Sequence, residues 1–205
     1  MAYSDFTLPQ IEKTFGVAIR SSLDLFAPQP PTIVLNPTFT AYLDYSIPLA
    51  LSINTEKARS EMMIAPILIE LKRMAGDRLS LFSGTEFNVD GARGLNGFCD
   101  FIISLSSQQL YLQSPVVIIF EAKNENIKGG LAQCIGAMIA AQIFNQTNES
   151  DIDPIFGAVT TGNQWKFLKL QQNQVLIDTQ DYYIDRLDLI LGILLSMTQA
   201  LAVAS

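Results

Sequence analysis

Pro115-Val116-Val117-Ile118-Ile119-Phe120-Glu121-Ala122-Lys123 is the stretch whose reading decides the fold. From Val116 to Phe120 the chain is apolar without interruption, and then it turns charged. A run of β-branched and aromatic residues of this length predicts a central strand covered on both faces. Side chains alternate across a strand, so Glu121 and Lys123 share one face at its end. Upstream, residues 97–105 and 79–89 predict two more strands. The connection over residues 106–114 is polar and loop-like, which suits a hairpin between 97–105 and 115–123. That hairpin would set Asp100 beside Glu121.

Before these strands, Thr55-Glu56-Lys57-Ala58 opens a helix with a good capping residue and an early acid. Apolar residues recur from Met62 to Met74, and Gly76-Asp77 ends the pattern. Pro66 is expected to kink this helix. After the strands, Gly129-Gly130 introduces a helix predicted over residues 131–145. Strands follow over 155–161, 164–170 and 174–177, with Gly162-Asn163 as a turn. An apolar helix closes the chain over 187–204. The order of helix, three strands, helix, two or three strands and helix predicts an α/β (α+β) domain, a mixed sheet flanked by helices. Residues 1–54 contain an amphipathic stretch at 8–19, a proline-rich breaker at 27–31, and a helical segment at 38–53 interrupted by Pro48. They read as an N-terminal helical extension packed on a domain spanning 55–205.

Composition narrows the chemistry. The 205 residues include no histidine and two cysteines. Without histidine there is no Ser-His-Asp or Cys-His catalysis and no histidine-based zinc site. Cys99 and Cys134 alone cannot build a four-cysteine cluster. Reactions must therefore run on carboxylates, lysine, hydroxyls or an oxygen-bound metal. Thirteen basic residues against 20 acidic ones give a net charge of −7, which argues against non-specific coating of nucleic acid. The N-terminus lacks the pattern of a secretory signal, and a reduced cytoplasmic setting is the expectation. Residues 187–204 are the one stretch that suggests a membrane. They hold Asp188, Ser196, Thr198 and Gln199, and are read instead as a buried or dimer-forming helix.

The candidate chemistry centres on Asp100 and Glu121-Ala122-Lys123. Two adjacent carboxylates repel unless a cation or proton lies between them. A hard ion such as Mg²⁺ accepts two carboxylates and a backbone carbonyl while keeping several waters. A lysine beside it can orient water or stabilise charge on a phosphate. On the preceding helix, Glu61 and Glu70 are nine residues apart and so point in opposite directions. Glu70 is expected at the solvent side or paired with Arg73. On the following helix, Gln133 is accompanied by the small residues Ala137, Ala140 and Ala141, which permit close approach to a sheet.

Taken in order, Glu61 on a helix, Gly97-Phe98-Cys99-Asp100, Glu121-Ala122-Lys123 and Gln133 on the next helix resemble the PD-(D/E)XK nuclease superfamily. Phe156-Gly157-Ala158-Val159-Thr160-Thr161-Gly162-Asn163-Gln164-Trp165 is similar to the strand and turn that follow the glutamine helix in restriction-type members. Cys99 replaces the motif's proline. The resemblance implies a restriction-endonuclease-like αβββαβ core. It implies Asp100, Glu121 and the carbonyl of Ala122 as ligands of Mg²⁺, with Mn²⁺ as a substitute, and Glu61 as a supporting ligand. It further implies Lys123 as the catalytic lysine and Gln133 as a polar group near the scissile phosphate. The implied activity is metal-dependent cleavage of DNA by activated water, within a larger restriction or repair assembly; the C-terminal helix suggests a homodimer, which would set two sites about a two-fold axis. A catalytically silent binding or assembly module of the same fold is the alternative, and a small-molecule phosphohydrolase a third reading. Lys57, Arg59, Lys72, Arg73, Arg78 and Arg93 are expected to form a basic rim, with Arg93 and Lys128 nearest DNA.

Overall fold

The hairpin expected around residues 97–123 forms inside the sheet, one strand in from its edge. The computed structural model describes residues 2–202. In chain order these form α1 (Leu8–Phe15), β1 (Ala18–Arg20), α2 (Pro37–Ile53), α3 (Glu56–Arg59), α4 (Ala65–Ala75), β2 (Ser80–Glu86) and β3 (Phe98–Ser104). There follow β4 (Val116–Ala122), α5 (Ile127–Thr147), β5 (Ile155–Thr160), β6 (Gln164–Gln171), β7 (Gln174–Ile177), β8 (Tyr182–Tyr183) and α6 (Leu187–Ala202). The strands make one mixed sheet in the order β1-β7-β6-β5-β4-β3-β2, with β8 beside β6. Strands β2, β3 and β4 run antiparallel, whereas β4 and β5 are parallel and joined by α5. A parallel pair needs such a crossover, and packing the crossover helix on the sheet buries both partners.

Every residue of β4 is buried, as its apolar run predicts for a strand covered on both faces. Helices α1 and α5 cover one face and α4 and α6 the other, each around its own apolar core. The C-terminal helix thus spends Leu187, Leu189, Ile190, Leu191, Ile193, Leu194 and Met197 inside the fold. These side chains are unavailable for dimerisation through that face. Residues 203 and 204 of the expected helix lie outside the described residues. Among the described residues, the helix long and apolar enough to cross a membrane is α5, and 67% of its apolar window is buried against the rest of the chain.

The helix expected from residue 55 runs on to Ala75 in three pieces, with a π-helical turn (Ser60–Ile64) between α3 and α4. Pro66 accounts for the turn. It has no amide to donate into the preceding turn, and the wider winding lets the amide of Ala65 reach the carbonyl of Ser60. The carbonyl of Met62 accepts instead from the Ser46 hydroxyl at 2.9 Å. That bond fastens α2 to the helix pair.

Other local expectations shift for physical reasons. Helix α2 continues unbroken through Pro48. Helix α5 begins at Ile127, because the Asn126 side chain caps it by accepting from the Gly129 amide at 3.1 Å. Gly129 and Gly130 therefore lie within the first turn rather than before it. Residues 1–54 are not wholly helical: β1 joins the sheet edge, pairing Ala18 with Gln174 in parallel. A three-residue strand has no periodicity to read.

Candidate functional site

Strands β3 and β4 pair through Ile102↔Ile119 and Phe101↔Phe120, so the next residues in this register are Asp100 and Glu121. The backbone ladder is not continued there. The amide of Ala122 donates instead to Oδ2 of Asp100 at 2.7 Å. On the next strand, the amide of Lys123 donates to the carbonyl of Thr160 at 2.8 Å, holding the end of β4 to β5. The lysine Nζ lies 2.5 Å from Oε1 of Glu121 and 3.5 Å from Oε1 of Gln133. Asp100, Glu121, Ala122, Lys123 and Gln133 are thus brought together at one end of the sheet.

The site straddles the strand ends. Asp100 and Ala122 open on a cavity of about 290 Å³ lined also by Glu56, Lys57, Ser60, Glu61, Ser83 and Gly84. Glu121 is 3% exposed and lies under the first turn of α5 with Lys123. Gly130 makes that approach possible. A Cβ there would stand 2.7 Å from Cγ1 of Val159, 3.1 Å from Cε of Lys123 and 3.2 Å from Cγ of Glu121.

Burial pushes the Glu121 carboxyl up from 4.5 to about 8; the Asp100 carboxylate pushes the same way, and Lys123 opposes both. Burial also raises Asp100, with the Ala122 amide and Lys123 acting against it and Glu56 adding to the rise. For Lys123, burial works to lower the ammonium, but the attraction of Glu121 and its hydrogen bond, then Glu56 and Asp100, outweigh it. Lys123 is therefore held above its ordinary value. A half-buried and a buried carboxylate served by one ammonium leave one negative charge under-compensated.

Glu61 lines the cavity, but its carboxylate is turned to Lys57 at 2.6 Å. Glu56, read from sequence only as a helix-start acid, is the α3 carboxylate whose charge reaches Asp100, Glu121 and Lys123. Among the described residues, no three Asp, Glu or Cys side chains are grouped as metal ligands. Glu70 is buried and takes Arg73 through both oxygens, at 2.6 and 2.7 Å. Cys99 and Cys134 are buried thiols raised by burial, Cys99 to about 12.

Sequence reasoning also missed a clamp around the site. Arg59 donates to Oδ1 of Asn124 at 3.1 Å, to the carbonyl of Thr161 at 3.0 Å and to Oδ1 of Asn54 at 3.0 Å. It ties the end of α2 and the loop after Lys123 to the β5–β6 turn. In that turn Thr160 Oγ1 accepts from the Gly162 amide at 2.9 Å, and the Trp165 indole donates to the Gly162 carbonyl at 3.1 Å. The other cations of the expected rim are also engaged within the chain. Lys72 donates to the carbonyl of Leu79, Arg78 to that of Ala75, and Arg93 pairs with Asp90 at 2.6 Å. Lys128, on the first turn of α5, is exposed.

No protein-family model and no curated protein matches the chain.

Proposed function

We propose that this chain is a metal-dependent deoxyribonuclease with a restriction-endonuclease-like core of the PD-(D/E)XK type. The observation that carries the reading is the convergence of Asp100, Glu121, Ala122, Lys123 and Gln133 at one sheet end. The succession α4-β2-β3-β4-α5-β5 supports the αβββαβ assignment.

The donor set fits a hard divalent cation. Asp100 and Glu121 are oxygen ligands on a shared strand end, and the raised Glu121 carboxyl marks a place where added positive charge would be favoured. Asp100, Glu121 and the Ala122 carbonyl would hold Mg²⁺ or Mn²⁺, with an acid of the 56–61 segment nearby. When bound, the ion supplies charge neutralisation at the phosphate and a more acidic water. The chain's own part is then separable. The Ala122 amide fixes the Asp100 carboxylate. Lys123, whose ammonium lies against Glu121, would supply positive charge to the phosphate oxygens. Gln133 offers an amide group at the α5 side of the same atoms. Lys128, exposed on the first turn of α5, offers a cation suited to a backbone phosphate.

Incubation of supercoiled, linear and branched DNA with Mg²⁺ and with Mn²⁺ tests the proposal. Cleavage by the wild-type chain and a loss of roughly 10²- to 10⁴-fold in Lys123→Ala are expected. No cleavage with either ion, or unimpaired cleavage by Lys123→Ala, would overturn it. Metal-independent DNA binding without turnover would point to the silent module.

A further inference from the structure

Helix α2 presents an apolar stripe that nothing among the described residues covers. Tyr42, Tyr45, Leu49 and Ile53 are 49%, 77%, 42% and 46% exposed, and Ile69 of α4 beside them is 61% exposed. Their spacing along α2 is three, four and four residues, which keeps them on one line down the helix. Leu43, Ser46 and Ala50, each one position after a stripe residue and so about 100° round the helix, are buried. A surface helix ordinarily turns charges to water, yet the only charged residue among the 17 of α2 is Asp44. Between α2 and α4 the stripe borders a groove of about 450 Å³ lined by Phe39, Tyr42, Ala65, Pro66 and Ile69.

We propose that this face is the contact between two copies of the chain, packed about a two-fold axis through α2. The occupant follows from charge, pattern and area. The acids at the groove edge are already matched within the chain, Glu61 by Lys57 and Glu70 by Arg73. Helix α2 itself has no Lys or Arg, so the face offers nothing to a phosphate backbone. The stripe is self-complementary. Antiparallel pairing brings Tyr42 of one copy against Ile53 of the other, and Tyr45 against Leu49, each ring meeting an aliphatic side chain. Three-four spacing is also the pattern that two helices use to interlock at a shallow angle. The five side chains leave on the order of 500 Å² of apolar surface on each copy, given roughly 200 Å² for a large side chain. Two copies then bury about 1,000 Å² through these anchors alone, the threshold for a specific interface, and exposed Ala41, Pro48 and Ser52 add to it. The self-association expected of the C-terminal helix is therefore reassigned to α2. The inference does not depend on the nuclease reading.

Sedimentation equilibrium of the full chain over a micromolar series is the test, with Leu49→Lys, Tyr45→Lys and Leu110→Lys alongside. Leu110 is 91% exposed on the 105–115 loop and serves as a control. Wild type and Leu110→Lys are expected at twice the 22.6 kDa chain mass, and both α2 variants at the monomer mass with unchanged far-UV circular dichroism. A wild-type monomer at 100 micromolar, an α2 variant that still dimerises, or a dimer lost equally in Leu110→Lys would overturn the proposal.

Discussion

The Asp100 carboxylate takes the amide of Ala122 at 2.7 Å, at the point where the β3–β4 ladder stops. A side chain thus replaces a backbone acceptor at the end of a buried hairpin. The exchange fixes the carboxylate without neutralising it, because an amide lowers an acid's affinity for protons but adds no net charge. Beside it, Glu121 is raised by burial first and by Asp100 second, and that rise is the basis of the first prediction.

The stability of the metal-free protein should depend on pH through Glu121. Its folded value of about 8 lies above the ordinary 4.5, so between these values the native state holds a proton that the unfolded chain releases. Stability is then fully present at the acid end of this window and is lost as pH rises through about 8. Asp100, also raised, contributes with the same sign. Thermal melts across the window should show the midpoint falling with pH in wild type and a flatter profile in Glu121→Gln. Mg²⁺ or Mn²⁺ should recover the midpoint at the upper end in wild type alone. A Glu121→Gln profile as steep as that of wild type would refute the assignment.

Gly130 should be intolerant of even one methyl group. An alanine Cβ there meets Val159 at 2.7 Å, and Val159 is fully buried in β5 and cannot turn aside. Helix α5 must lift from the strand end, moving Gln133 away from Lys123. Gly130→Ala is expected to cost about 1–3 kcal/mol by chemical denaturation and to lower cleavage more than the stability loss explains. Gly91→Ala is the control, since a Cβ at Gly91 has no neighbour within 4 Å. Equal behaviour of the two variants would show that the helix does not need this close approach.

How much of this was legible beforehand depended on the range of the interactions concerned. Val116 to Phe120 announced a buried strand because burial on both faces needs five apolar residues in a row. The juxtaposition of Asp100 with Glu121 followed, because a hairpin's register carries one strand's chemistry to the other. Edge strand β1 was not legible, since three residues that pair with β7, more than 150 positions away, leave no local mark. The start of α5 was misplaced because Gly129-Gly130 looks like a breaker until the close approach of Glu121 and Lys123 is seen. Pro66 was read as a kink, whereas Ser46, twenty residues earlier, supplies the hydrogen bond that accommodates it. Composition likewise counts the cations of the expected rim, and only the folded chain shows Arg59 and Arg93 held by partners within it.

Ser46 gives a test of that accommodation. Removing its hydroxyl leaves the Met62 carbonyl without its donor at a half-buried position. An unsatisfied acceptor there should cost about 1–3 kcal/mol in Ser46→Ala. Pro66→Ala restores an amide to the helix and should lessen the cost when combined with Ser46→Ala, giving a non-additive double-mutant cycle in equilibrium denaturation. Strict additivity would mean that the two residues do not share the π-helical turn.

The acid of the 55–61 segment that supports the site should be Glu56 rather than Glu61. Both line the cavity before Asp100. Glu61 is 57% exposed at its side chain and is held by Lys57 at 2.6 Å, so its charge is matched before any ligand arrives. Glu56 has the field that reaches Asp100 and Glu121, raising both. A cation placed between those carboxylates feels Glu56 more than Glu61. Isothermal titration with Mn²⁺ should therefore show affinity falling severalfold further in Glu56→Gln than in Glu61→Gln. Lys57→Ala separates the two acids further, because it frees Glu61 and should strengthen binding if Glu61 can swing to the site. Should Glu61→Gln prove the more damaging change in both backgrounds, the ion pair with Lys57 must open on metal binding, and the support role returns to Glu61.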